Sequence, residues 1–282
     1  WSSDVCSSDL IEIDRMDIDP ARPFRDDRVL FADDVRVGVE RVVFPAGTTT
    51  LELRRLAASS KARTLHVGSL SFEPLETEDE YYARVEDKPD RTSIQVGAMQ
   101  AEGVRFAHLI EEFELMVSSL EVERFRAEIA SDHRGREVER DHDNTTSAPH
   151  ALADLGLPVR VDHVAIENSS IRFADRSSEG RQRGYLEFTD LAGTVEGIDS
   201  REGSPPAVAH ATGKLNGTGH LELTMAIPLA EPPPTMRYTG VVRDLDLTTL
   251  NTMLPDMAGV RVKSGFVEHA TFDVHVDTAT VR

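Results

Sequence analysis

The chain has 282 residues and sets 50 acids against 31 bases, a formal net charge of −19. A surface of that sign repels phosphate backbones and anionic headgroups, which argues against nucleic acid as a partner. No run approaches the roughly 20 apolar residues that a membrane-spanning helix needs, so a soluble or peripheral protein is expected.

The first ten residues, Trp1 to Leu10, read as the translation of one frame of a common sequencing adapter and are set aside from fold reasoning. They hold the only Trp and the only Cys. Without Asp4 and Asp9 there remain 48 acids against 31 bases, a net of −17. From Ile11 onward there is no cysteine, and hence no disulfide, thiolate nucleophile or Cys-ligated zinc. On this reading the natural N-terminus lies before Ile11, and the pattern broken off at Thr280-Val-Arg282 leads to an expected truncation at the other end.

Residues 11–130 repeat short strand signals between turn residues. Val35, Val37 and Val39 alternate with Arg36, Gly38 and Glu40. Leu51-Glu-Leu53, Leu65-His-Val67 and Leu70-Ser-Phe72 follow, the last before Pro74. Thr77 and Glu80 have capping-box spacing and predict a helix near 76–86, with Pro89-Asp90 closing it. Ile94-Gln-Val96 and Val104-Arg-Phe106 resume the strand pattern, and one or two helical turns are expected near 107–113. Leu120/Val122 with Ala127/Ile129 has the same spacing as Val164/Ile166 with Ile171/Phe173, which fits either a structural repeat or the coincidence of a degenerate pattern.

Residues 131–160 read as a polar surface linker with one short helix, started by Ser147-Ala-Pro149 and stopped by Gly156. Beyond it, residues 161–282 form a C-terminal β region. There, Leu221, Leu223, Met225 and Ile227 alternate with His220, Glu222, Thr224 and Ala226. Met236, Tyr238 and Val242 alternate with Arg237, Thr239 and Arg243, and Ala270, Phe272, Val274 and Val276 with His269, Thr271, Asp273 and His275. Successive strand side chains point to opposite faces, so each stretch has one apolar and one polar face. Glu231-Pro-Pro-Pro234 reads as a rigid polyproline connection, and Leu247, Leu250, Met253 and Leu254 sit at helical spacing over 247–257. The expected fold is mainly β: a long, curved, mostly antiparallel sheet with three or four short helices.

An apolar sheet face must be covered by helices, by a second sheet or by a ligand. Few long amphipathic helices are on offer here, and the large aromatics that anchor many sandwich cores are scarce.

Three constellations invite chemistry, and for each the structural reading is preferred. His133, Asp141, His142, Asp143 and His150 could ligate a metal, but they fall in the linker, where nothing fixes their geometry. His269, Asp273, His275 and Asp277 occupy the polar face of their strand, where such residues belong, and no G-x-S-x-G accompanies them. Glu187 and Glu222 stand for the many acids that could pair for glycoside hydrolysis. No catalytic residue, metal or cofactor is expected.

The segment Tyr238 to Pro255, running into Gly259-Val-Arg-Val262-Lys263-Ser264-Gly265, resembles the closing portion of AsmA-like proteins of Gram-negative envelopes. In those proteins a strand leads to an apolar-Asn-x-x-Leu turn, here Leu250-Asn251 to Leu254, and then to an I-K-S-G-like strand start. Ile171-Arg-Phe173, a charged turn and Gly184 to Leu191 are similar to a second element of that family, and the likeness spans Val161 to Val281. The resemblance implies a noncatalytic periplasmic protein, tethered to the inner membrane by a helix that this stretch lacks. It also implies a groove carrying phospholipid acyl chains between membranes, or serving outer-membrane homeostasis. The expected groove lining is Leu221, Leu223, Met225, Ile227, Met236, Tyr238, Phe272, Val274 and Val276. The rival expectations are an envelope assembly or interaction scaffold with a filled β core, and a carbohydrate-active enzyme, against which the low aromatic content speaks.

Overall fold

The structure, a computed structural model, describes residues 10–16, 29, 32–46, 48–84, 90–132, 157–177, 183–229, 236–277 and 280–281. One fifteen-stranded sheet organises them, as the alternation leads one to expect. Strands β1 (Leu10–Met16), β2 (Ala32–Ala46), β3 (Thr49–Ser59) and β4 (Thr64–Pro74) form an antiparallel meander. Strands β5 (Arg91–Val96) and β6 (Ala98–Glu102) both pair with β4, and together make one long strand interrupted at Gly97. Strands β7 (Leu115–Glu123) and β8 (Arg126–Asp132) repeat that arrangement with a break at Arg124 and Phe125, and both lie parallel to β9 (Val159–Arg176). The remainder, β10 (Gly184–Asp199), β11 (Ala207–Leu215), β12 (Gly219–Ile227), β13 (Met236–Asp246), β14 (Phe266–Asp277) and the short β15 (Thr280–Val281), continues antiparallel. The sheet is long, curved and mostly antiparallel, and its two parallel ladders are those of β7 and β8 with β9. Leu10, the last residue of the stretch set aside, opens β1 opposite Gly38.

Strand length departs from expectation. The sequence reads as many short strands, whereas β9 runs 18 residues and β10 runs 16. The cause is a row of residues in the left-handed region: Arg55 (φ 50°), Arg124 (53°), Asn168 (52°) and Asp190 (50°). Each slips the alternation by one residue, so a single long strand reads as two short ones. The slips are matched between neighbours. Arg55 comes level with Gly68, Gly97 with Arg124, and Arg124 with Asn168. The Arg55 guanidinium crosses Gly68 and donates to its carbonyl (3.3 Å), and a Cβ at Gly68 or Gly97 would strike the guanidinium of Arg55 or Arg124. Gly at these two sites gives room to the side chain that crosses it.

The matched spacing seen in the sequence has the same origin. Leu120, Val122, Ala127 and Ile129 lie directly beside Val164, Ile166, Ile171 and Phe173 in parallel register. Neighbours that share one slip must share one spacing.

Among the described residues, four short helical segments sit at the ends of the strands. Helix α1 (Glu78–Arg84) carries the expected capping box, with Thr77 N–H and Oγ1 both donating to the Glu80 carboxylate (2.9 and 2.6 Å). It is tied down by the buried Tyr82 hydroxyl, which donates to the Ala130 carbonyl, and by a pairing of Glu78 with Arg183. Helix α2 (Phe106–Glu111) starts one residue earlier than expected and stops two sooner, because Phe113 adopts φ 54°. A 3₁₀ turn (Leu247–Thr252) lies at the α1 end of the sheet, between β13 and β14, and leads into helix α3 (Leu254–Ala258). Asp246 caps the turn by accepting from Thr248 N–H at 2.8 Å, and Gly259 ends α3 at φ 62°. The expected linker helix near Ser147 and the polyproline stretch Glu231 to Pro234 lie outside the described residues.

A packed core forms at the α2 end, where Ala101, Val104, Val117, Val159, Val161 and Val164 are buried and Phe106, Leu115 and Leu157 close over them. If the αL row holds the strands in phase, Asn168→Val should cost about 1–2 kcal/mol and Asn168→Gly almost nothing, since a β-branched residue resists this backbone and glycine does not. Urea unfolding of the two variants measures the difference.

Candidate functional site: an apolar trough

Because neighbouring slips match, one apolar face persists across the sheet. A single row reads Val37, Ala58, Leu65, Ala101, Leu120, Val164, Val195, Ala209, Met225, Tyr238 and Val274. The next reads Ile166, Gly193, Ala211, Leu223, Gly240 and Phe272. The predicted lining therefore falls on one face: Leu221, Leu223, Met225 and Ile227 on β12, Met236 and Tyr238 on β13, and Phe272, Val274 and Val276 on β14. The side chains of Met236 and Val276 lie outside the described set. Of the others, Leu221 is buried and the rest are half-buried, so they are neither sealed in a core nor stripped to water. Val241, the apparent breach beside Val242, faces the polar side opposite Glu222 and Thr271.

Beyond the packed α2 end this face opens into a cavity of about 330 Å³, within the ordinary range of small-molecule sites. Its walls are large: Phe125, Ile171, Phe173, Phe188, Leu191, Leu221, Leu223 and Met225. Its floor is small: Gly193, Ala209 and Ala211. Size contrast makes the hollow, since small residues on β10 and β11 lie between long side chains on β9 and β12. Phe173 and Phe188 meet edge to face with centroids 6.1 Å apart, and Phe173 keeps 38% of its surface exposed. Sequence reasoning finds the β12 wall and misses Phe125 and the residues of β9 to β11. Asn168 and Asp190 break the alternation there, and Ala209 and Ala211 carry little hydropathy.

The trough is closed at the α1 end of the sheet by the 3₁₀ turn and α3, held by asparagines. Asn216 (φ 46°) accepts from Glu187 N–H at 2.8 Å and donates to the Thr249 carbonyl at 3.0 Å. Thr252 Oγ1 donates to the Tyr185 carbonyl at 2.8 Å, and Met253 backbone sits where a Cβ on Gly184 would go.

The opposite face is polar and holds a larger recess, about 890 Å³, bordered by Thr194, His210, Thr212, Glu222, Thr224 and Thr239. Its groups answer one another: His210 Nδ1 lies 3.1 Å from Thr224 Oγ1, and Arg243 pairs with Glu222. Volume alone does not make it the better site, because hydroxyls and ion pairs on an open polar face are already satisfied by each other and by water, whereas an apolar hollow is not.

Among the described residues the chemical constellations are not assembled. Asp273 accepts from Nε and Nη2 of Arg237 (3.0 and 2.7 Å), which holds its carboxyl below the usual range, and His275 Nδ1 stands 3.9 Å away. His269 lies opposite Arg243 on the same face. Glu222 is opposite Thr212, itself opposite Ala192, five residues along β10 from Glu187. Lys214 pairs with Asp190 at 2.8 Å. His133, Asp141, His142, Asp143, His150 and the side chain of Asp277 lie outside the described residues. No helix among the described residues is long and apolar enough to cross a membrane.

The sequence matches no family model and no curated protein.

If the small floor creates the hollow, Ala211→Phe should fill it and lower the binding of a fluorescent apolar probe at least fivefold. Thr212→Val, one residue along on the polar face, should leave binding unchanged. Fluorescence titration of the two variants makes the comparison.

Proposed function

We propose that this chain is a noncatalytic carrier surface for phospholipid acyl chains. It would form part of a periplasmic AsmA-like conduit, tethered to the inner membrane by a segment outside this sequence and serving lipid transfer or outer-membrane homeostasis. The observation that supports the reading most is the half-buried apolar face that ends in a hollow lined by hydrocarbon. Each methylene moved from water onto such a surface gains about 0.8 kcal/mol. A chain can therefore be held by many weak contacts and slide, as transfer requires, without one tight site. The long polar face opposite keeps such a protein in water while its other face is loaded.

The envelope location and the anchor rest on the likeness of Tyr238–Gly265 to AsmA-like proteins. Asn251 gives that motif a physical role. Its side-chain amide accepts from Val262 N–H and donates to the Val262 carbonyl, both at 2.8 Å, so it fixes the loop that leads from α3 to β14.

Protein purified without detergent washing should carry phospholipid detectable by native mass spectrometry. Leu223→Asp and Val274→Asp should each reduce the loaded fraction severalfold, since a buried carboxylate in the trough opposes hydrocarbon. Empty wild-type protein that also fails to take up lipid from vesicles would remove the carrier reading and leave an interaction scaffold in its place.

A further inference from the structure

The loop between α3 and β14 presents a cluster of apolar side chains to solvent: Met257 (50% exposed), Val260 (54%) and Phe266 (59%). Two exposed bases, Arg261 and Lys263, stand among them, with Asp256 half-buried and Glu268 two residues past Phe266. The loop is clamped rather than loose. Asn251 binds both backbone groups of Val262, Leu247 N–H donates to the Gly265 carbonyl at 3.0 Å, and Val260 N–H reaches the Leu254 carbonyl. A fixed loop that spends its hydrogen bonds holding hydrophobic side chains outward has a reason to present them.

We propose that this loop docks the α3 end of the sheet onto a phospholipid bilayer containing anionic lipid. The net charge of −19 opposes any face-on approach. Screening limits that repulsion to about 8 Å at physiological salt, so a tip that carries only bases between Met257 and Phe266 can still engage. Apolar residues entering the interface beside bases that meet anionic headgroups is the chemistry of peripheral membrane attachment. Three protruding side chains are too few for the core of a stable protein interface, which needs on the order of 1,000 Å² of buried surface.

The α2 end supplies an internal contrast. Ile110 and Phe113 are also exposed there (41% and 73%), but Glu111, Glu112 and Glu114 surround them, and anionic headgroups would repel that end. The α2 segment thus differs from the tip, where two bases and no acid lie between Met257 and Phe266.

Flotation with vesicles of phosphatidylethanolamine and phosphatidylglycerol tests the assignment. Wild-type protein floats. Met257→Ser/Val260→Ser/Phe266→Ser and Arg261→Glu/Lys263→Glu each lower the partition coefficient about tenfold or more, while Ile110→Ser/Phe113→Ser does not. All three variants keep the wild-type unfolding midpoint, because the altered side chains are exposed. The docking stands apart from acyl-chain carriage: the tip variants retain whatever phospholipid the wild type carries in solution. Wild-type protein that stays at the bottom of the gradient, tip variants that float as well as wild type, or a tip that mediates self-association instead of flotation would each overturn it.

Discussion

The structure depends on keeping side-chain alternation in phase across a very wide sheet. A strand slipped by one residue presents its polar side chains where its neighbour presents apolar ones. Long twisted strands rarely run 16 or 18 residues without such a slip, and here the slips are aligned. Arg55, Arg124, Asn168 and Asp190 turn through the left-handed region at comparable heights, and Gly68 and Gly97 leave room for the arginines that cross them. The strands from β2 to β10 change phase together, and one hydrocarbon face survives from Val37 to Val274.

That face is finished differently along its length. Near α2 it is packed into a valine-rich core with Val104 only 1% exposed. In the middle, alanines and glycines replace the large side chains that would have filled it, and a hollow results. Toward β1 the covering thins, and Ile11 is 71% exposed. One end is therefore a conventional core, and the remainder an apolar surface that water contacts only at a free-energy cost.

Much of this was legible in the sequence, and the failures have identifiable causes. Strict alternation at Leu221 to Ile227 placed β12 correctly because nothing interrupts it. The capping box at Thr77 and Glu80, and the helical spacing of Leu247 to Leu254, read correctly because both signals are local. The trough wall on β9 and β10 was hidden because its alternation changes phase at Asn168 and Asp190. The floor was hidden because a small residue advertises no hydrophobicity, although smallness is what makes the space. The clamps of Asn216 and Asn251 could not be read at all, since Asn216 bonds to Thr249, 33 residues on, and only the fold brings them together.

The most direct test of the central claim places a photo-crosslinking amino acid at Leu223 or, separately, at its neighbour Thr224. The two positions are adjacent in sequence but face opposite sides of β12. After irradiation in the presence of phospholipid, the probe at 223 should capture lipid and the probe at 224 should not. Equal capture at both positions, or capture at neither, would contradict an apolar face kept in phase and open to hydrocarbon.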